Sequence, residues 1–303
     1  MKKKLLSITL IGALLLSLTA CGKNEQNIAQ NENSNQKTDS KTLEEQVKDN
    51  NEITFENLTV VDNEFCKIEL TGIDPDAILG YEIKASLENK STDKVYMFSI
   101  ENASVNGVQT DPYFAAEVAA GKKANDEITI NRSELEDNGI SELTDIELTF
   151  RVYDSNDWMA DPVAHETVHV YPYGQEKATT FTREPKDTDN IIIDNESITI
   201  TVIGNELDEY GDFAIYLFIQ NKSDSDLMVS EENASLNGYM ADPFWANSVQ
   251  SGKCSFSTIS WFASDLEANN ITEVTNAEFN LKVYKDGDYL DEDIVNQTIT
   301  LQF

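Results

Sequence analysis

The chain has 303 residues, 40% of them hydrophobic, and carries 55 acidic against 22 basic side chains, for a formal net charge of −33 at pH 7. A surface this acidic repels nucleic-acid phosphates, and no basic stripe offsets it, which excludes a nucleic-acid partner. The ordinary consequence of the charge is a well-solvated surface that resists association.

The N-terminus reads as an export signal. Lys2, Lys3 and Lys4 precede an apolar run from Leu5 to Ala20, which is short for a membrane-spanning helix. The run ends in Leu18-Thr19-Ala20-Cys21-Gly22, which resembles the lipobox of bacterial lipoproteins. The resemblance implies that residues 1–20 are a lipoprotein signal peptide and that Cys21 is the first mature residue. Its sulfur would carry a diacylglycerol, with the membrane as partner through the lipid anchor. The protein would then sit at the cell membrane, on its extracytoplasmic face. Two or more acyl chains hold a protein stably there, since each buried methylene contributes about 0.8 kcal/mol. Losing three lysines and no acid takes the formal charge from −33 to −36. Residues 21–52 are rich in Asn, Gln, Glu, Lys and Ser and lack aromatic side chains. They cannot bury enough apolar surface to order themselves, and read as a disordered tether spanning roughly 30 Å.

The remainder says the same thing twice. Residues 101–170 align with 232–301 without a gap, and 25 of the 70 positions are identical. Glu101-Asn102-Ala103-Ser104-Val105-Asn106-Gly107 recurs as Glu232-Asn233-Ala234-Ser235-Leu236-Asn237-Gly238, and Asp111-Pro112 as Asp242-Pro243. Upstream the copies match with an offset larger by one, so that Asn89-Lys90-Ser91 meets Asn221-Lys222-Ser223. A repeat of this length implies two modules in tandem, 53–173 and 189–303. The polar stretch 174–188, which contains Pro185, reads as the linker.

Each module alternates apolar and polar residues with period two. Phe65 to Leu70, Asp145 to Tyr153, Ser197 to Val202 and Ala277 to Tyr284 predict strands with one buried face. Asn106-Gly107 and Asn237-Gly238 fit two-residue hairpin turns. Ser133-Glu134-Leu135-Glu136 and Ser264-Asp265-Leu266-Glu267 read as capping boxes opening one short helix per module, closed by Gly139 or Asn270. The expected fold is all-β, two antiparallel β-sandwiches, each with one short helix. The Asn-Lys-Ser turn, the Asn-Gly hairpin, the Gly-Lys pairs (Gly121-Lys122, Gly252-Lys253) and the helix followed by a long alternating strand resemble immunoglobulin-like modules of Gram-positive lipoproteins. That resemblance covers residues 53–303. It implies an extracellular interaction or sensing role and carries over no catalytic residue.

His165-Glu166-Thr167-Val168-His169 matches H-E-x-x-H, the zinc metallopeptidase pattern. That chemistry needs a helix, where residues four apart share a face. Here the stretch aligns with the last alternating strand of the second copy, and Pro162 and Pro172 bracket it. Along a strand the two histidines stand about 13 Å apart, too far for one zinc. Asp154-Ser155-Asn156-Asp157 and Asp286-Gly287-Asp288 offer oxygen ligands, but neither completes a calcium loop. Trp261 aligns with Ile130 and is expected in the core. Cys66, on one strand face with Ile68 and Leu70, reads as a buried thiol, and Cys254 has no matching cysteine, so no disulfide is expected. No nucleophile elbow or phosphate loop occurs, so neither a catalytic residue nor a cofactor or metal is assigned.

The candidate ligand-binding residues are aromatic. Asp111-Pro112-Tyr113-Phe114 recurs as Asp242-Pro243-Phe244-Trp245, and Trp158 and Tyr289 occupy matching positions. Exposed rings there could anchor a surface protein, peptide or glycan. The structural alternative is that one ring of each pair fills the core while the other covers a sheet end. The expected role is non-catalytic binding. The alternatives are the zinc peptidase and a passive envelope spacer.

Overall fold

A computed structural model describes residues 52–288 and 292–303. The signal peptide, Cys21, the tether up to residue 51 and Tyr289 fall outside the described residues.

The described residues are all-β, with one six-residue α-helix in each repeat. In the first repeat, β1 (Leu58–Asp62), β2 (Cys66–Asp74), β3 (Tyr81–Asn89) and β7 (Lys123–Ile130) form a four-stranded sheet in the order β1-β2-β3-β7. It faces β5 (Val108–Thr110), β4 (Tyr96–Val105), β8 (Ile146–Asp154) and β9 (Ala164–Val170), with β6 (Ala115–Val118) on β4. The second repeat builds the same pair. One sheet is β10 (Asn190–Asp194), β11 (Ile198–Leu207), β12 (Phe213–Asn221) and β16 (Cys254–Trp261); the other is β14 (Tyr239–Met240), β13 (Leu227–Leu236), β17 (Asn276–Lys285) and β18 (Val295–Gln302), with β15 (Ala246–Val249) on β13.

Period-two alternation puts one side of each strand inside. Cys66, Ile68 and Leu70 are fully buried with Ile83, Phe98 and Phe150, while Ile198, Ile200, Leu217 and Trp261 fill the second core. The Trp261 indole satisfies its one donor on the Ala241 carbonyl at 2.9 Å. Burial pushes the Cys66 thiol up to about 11, which leaves it in the unreactive neutral form.

The repeated turns recur because each locks a distant segment. Asn106 and Gly107 have φ of 51° and 84°, and Asn237 and Gly238 have 51° and 82°. These are the left-handed values a type I′ hairpin needs. The Asn106 Oδ1 also accepts from Thr144 N, Thr144 Oγ1 and Asp145 N, and its amide donates to Glu142 O. Asn237 repeats the pattern with Thr275, Asn276 and Glu273. In the same way Asn89 and Asn221 bury their side chains and hold two carbonyls each.

The capping boxes are not as the spacing predicts. Helix α1 (Arg132–Asp137) is capped by Asn131, whose Oδ1 accepts from both Ser133 N and Ser133 Oγ. Asparagine caps as well as serine, so the helix starts two residues earlier. Helix α2 (Ala263–Ala268) has Phe262 at that position, with no acceptor. A carboxylate from the β11–β12 loop substitutes, as Asp212 Oδ1 accepts from Ala263 N at 2.7 Å. The closing residues are as expected, Gly139 at φ 77° and Asn270 at 56°.

The two sandwiches are fused through a shared sheet. β16 pairs in parallel with β5 at Cys254 and Val108, which makes one nine-stranded sheet across both repeats. Cys254 N donates to Gly107 O, Gln109 bonds to Ser248 O and Gln250 N, and Lys253 reaches Glu147 at 2.7 Å. The linker runs along this junction. Phe181 sits edge-on to Phe218 and Phe256, and those two rings stand 4.9 Å apart. Arg183 lies over Phe218 and clasps Asp189 with two bonds of 2.6 and 2.8 Å. That clasp, with a backbone N–H from Lys186, holds the Asp189 carboxyl down at about 2.

Candidate recognition surface

The two Asp-Pro-aromatic loops each divide their rings between core and solvent. Phe114 is 7% exposed and meets Phe150 edge-on at 6.2 Å. Trp245 is half-buried against the second core and donates its indole N–H to Ser257 Oγ at 3.0 Å. Their neighbours point outward, with Tyr113 85% and Phe244 92% exposed. Trp158, 66% exposed, sits beside the exposed Met159 in the β8–β9 loop. Tyr113, Phe244 and Trp158 are therefore available to a ligand, whereas Phe114 and Trp245 are held by packing.

The loops differ in backbone. Tyr113 exchanges two hydrogen bonds with Thr129 and so covers the end of the β7 edge. Phe244 instead has φ of 50° and turns its N–H to Asp242 Oδ1 at 2.9 Å. A bulky residue in this region is strained by roughly 1–2 kcal/mol. Among the described residues the Ser260 position, which matches Thr129, gains no such bridge.

Beneath the second loop lies Glu231, only 7% exposed, with one carboxylate oxygen lacking a partner. Burial, then the Asp242 carboxylate, push it up to about 7. The strand register puts Glu231 opposite Leu281 just as Ile100 stands opposite Phe150. The second repeat thus holds an acid where the first holds an isoleucine.

Between the repeats is a cleft of about 650 Å³, with Glu134 and Asp137 of α1 on one side and Tyr216, Phe256 and Thr258 on the other. Burial and the nearby Asp111 raise the Glu134 carboxyl above its ordinary range.

The histidine motif is on β9, a strand. His165 faces Glu101, and His169 contacts Asp145 at 2.7 Å and Glu147 at 3.2 Å. Among the described residues no group of three His, Cys, Asp or Glu side chains is arranged to hold a metal ion. Asp154 closes its own turn onto Asn156 N and pairs with Lys94, and Asp286 accepts from Ser248.

No family model matches the sequence. No curated protein matches it either. Similar solved structures include red sea bream transglutaminase, 8% identical, over 83% of this chain and 31% of that one, at a TM-score of 0.22. An exo-chitosanase of Amycolatopsis orientalis is 10% identical over 77% and 26%, also at 0.22. A β-D-mannosidase of Dictyoglomus thermophilum is 10% identical over 81% and 35%, at 0.19. The chain spans about a third or less of these enzymes. Overlaps this low carry no argument about what the chain does.

Proposed function

We propose that this protein is a lipid-anchored lipoprotein of the extracytoplasmic membrane face. It carries two immunoglobulin-like modules that bind, without catalysis, a surface protein, peptide or glycan. Cys21 is the anchor in this reading, and the acidic tether lifts the modules from the bilayer.

The observation that carries it is the outward ring on each duplicated loop. A passive spacer does not need the exposed rings of Tyr113 and Phe244, since Phe114 and Trp245 do the packing and Tyr113 covers the β7 edge through its main chain alone. Phe244 is also kept there at φ 50°, and strained positions concentrate where a contact is made. The peptidase alternative lacks the helical spacing its motif requires, because β9 is extended.

The double variant Tyr113→Ala with Phe244→Gly separates the readings. Its stability is expected to stay within about 0.5 kcal/mol or to rise by up to about 1 kcal/mol, as glycine relieves the left-handed strain. Capture of cell-surface material by the variant is expected to fall well below that of the native protein. Undiminished capture, or a large loss of stability, contradicts the proposal.

A further inference from the structure

We infer that the free edge of β16, where it lines the cleft between the repeats, accepts an extended, positively charged peptide segment as an added strand. This deepens the binding role proposed above and rests on it.

The edge is open by construction. β16 pairs with β12 along its whole length, from Cys254 opposite Gln220 to Trp261 opposite Phe213. In such a ladder, alternate residues aim both main-chain groups away from the partner. Cys254 N donates to Gly107 O of the first repeat, which fixes the phase. Phe256, Thr258 and Ser260 therefore direct their N–H and C=O groups away from β12. The pairing with β5 covers only Cys254. Beyond it the first repeat withdraws, and the cleft opens at Phe256 and Thr258.

The first repeat shows what covers the far end of such an edge, since Tyr113 bonds both ways with Thr129. In the second repeat the left-handed turn at Phe244 sends that N–H to Asp242 instead. Among the described residues no hydrogen bond reaches Thr258 or Ser260 from that side. Phe256 to Ser260 spans about 13 Å of edge. An uncovered edge recruits extended chains through main-chain hydrogen bonds, and neighbouring side chains then set specificity.

Charge selects the occupant. The helix wall across the cleft presents Glu134 and Asp137, and neither forms an ion pair among the described residues. Glu134 also shares its surroundings with Asp111. A strand with Lys or Arg on the face it shares with Phe256 and Thr258 relieves that crowding, since α1 stands over that same face. A second copy of this chain, at −33, is repelled.

Titration of the full chain with an alternating lysine–valine peptide, read by tryptophan fluorescence, tests this. Saturable binding is expected. Thr258→Pro removes one edge N–H without touching the β12 ladder and is expected to weaken binding about tenfold or more. Glu134→Gln with Asp137→Asn leaves the edge intact and is expected to weaken it about three- to tenfold, with a shallower salt dependence. Equal binding by native and both variants would mean attraction to the acidic surface alone and overturns the inference. So does a native dimer in sedimentation that Thr258→Pro dissolves. If Thr258→Pro captures cell-surface material as the native chain does, while Tyr113→Ala with Phe244→Gly does not, the edge assignment falls and the binding role stands. If the native chain captures nothing, the binding role itself falls.

Discussion

Replacing Glu231 by isoleucine is expected to stabilise the second repeat by about 2–3 kcal/mol at pH 8 and to remove most of its pH dependence below neutrality. The first repeat already carries that solution, with Ile100 at the matching register position. Glu231 is buried, one of its oxygens accepts a long bond of 3.5 Å from Trp245 N, and its other neighbour is the Asp242 carboxylate, which it can bond only in its neutral form. Its folded value of about 7 lies above the 4.5 of an ordinary glutamate. Raised values favour the neutral acid in the folded state. The favourable contribution is therefore complete below pH 4.5 and disappears as pH climbs through 7. The difference corresponds to about 3 kcal/mol between those limits, less what the weak Trp245 bond returns. Denaturant unfolding of both proteins at pH 4.5 and pH 8 checks this. The native protein should lose stability across the interval relative to the variant. Parallel pH profiles would show that Glu231 finds a partner when charged.

The second large effect belongs to the junction. Phe218 is 5% exposed, yet it points away from its own core, where Leu217 and Ile219 are buried. Phe181, Phe256 and Arg183 enclose it instead. Phe218→Ala should leave both sandwiches folded and weaken their coupling by about 3–4 kcal/mol, the range for a buried ring. Calorimetry should find one cooperative transition in the native protein and two separated transitions in the variant. A single transition, simply shifted, would place Phe218 in the fold of one sandwich rather than between the two.

Neither residue was legible in the sequence, although much of the fold around them was. The period-two stretches and the Asn-Gly turns were legible because they depend on local backbone chemistry that every copy must repeat. Trp261 was legible as core because Ile130 stands in its place. Glu231 falls one residue before the gapless alignment begins, in a polar run, and its burial depends on a strand register that no local pattern reveals. Phe181 lies among Thr and Glu in a stretch that reads as linker, although it joins the two sandwiches. The fusion of the sheets rests on main-chain groups at Gly107 and Cys254, which leave no side-chain signature. Of each adjacent aromatic pair one ring had to face inward. Which one depended on strand position, with Ala115 beginning β6 and Ala246 beginning β15. The caps moved for a similar reason: Asn131 and Asp212 supply the same acceptor from different places.

Photo-crosslinking on intact cells is the most direct test of a recognition role for this surface. A photoreactive side chain would replace Phe244, Tyr113 or Thr258 in turn, with another exposed position, Leu207 at the end of β11, as control. A discrete adduct with one surface molecule is predicted from the loop and edge positions and not from Leu207. Adducts that are absent everywhere, or equally frequent from Leu207, would contradict a dedicated binding surface.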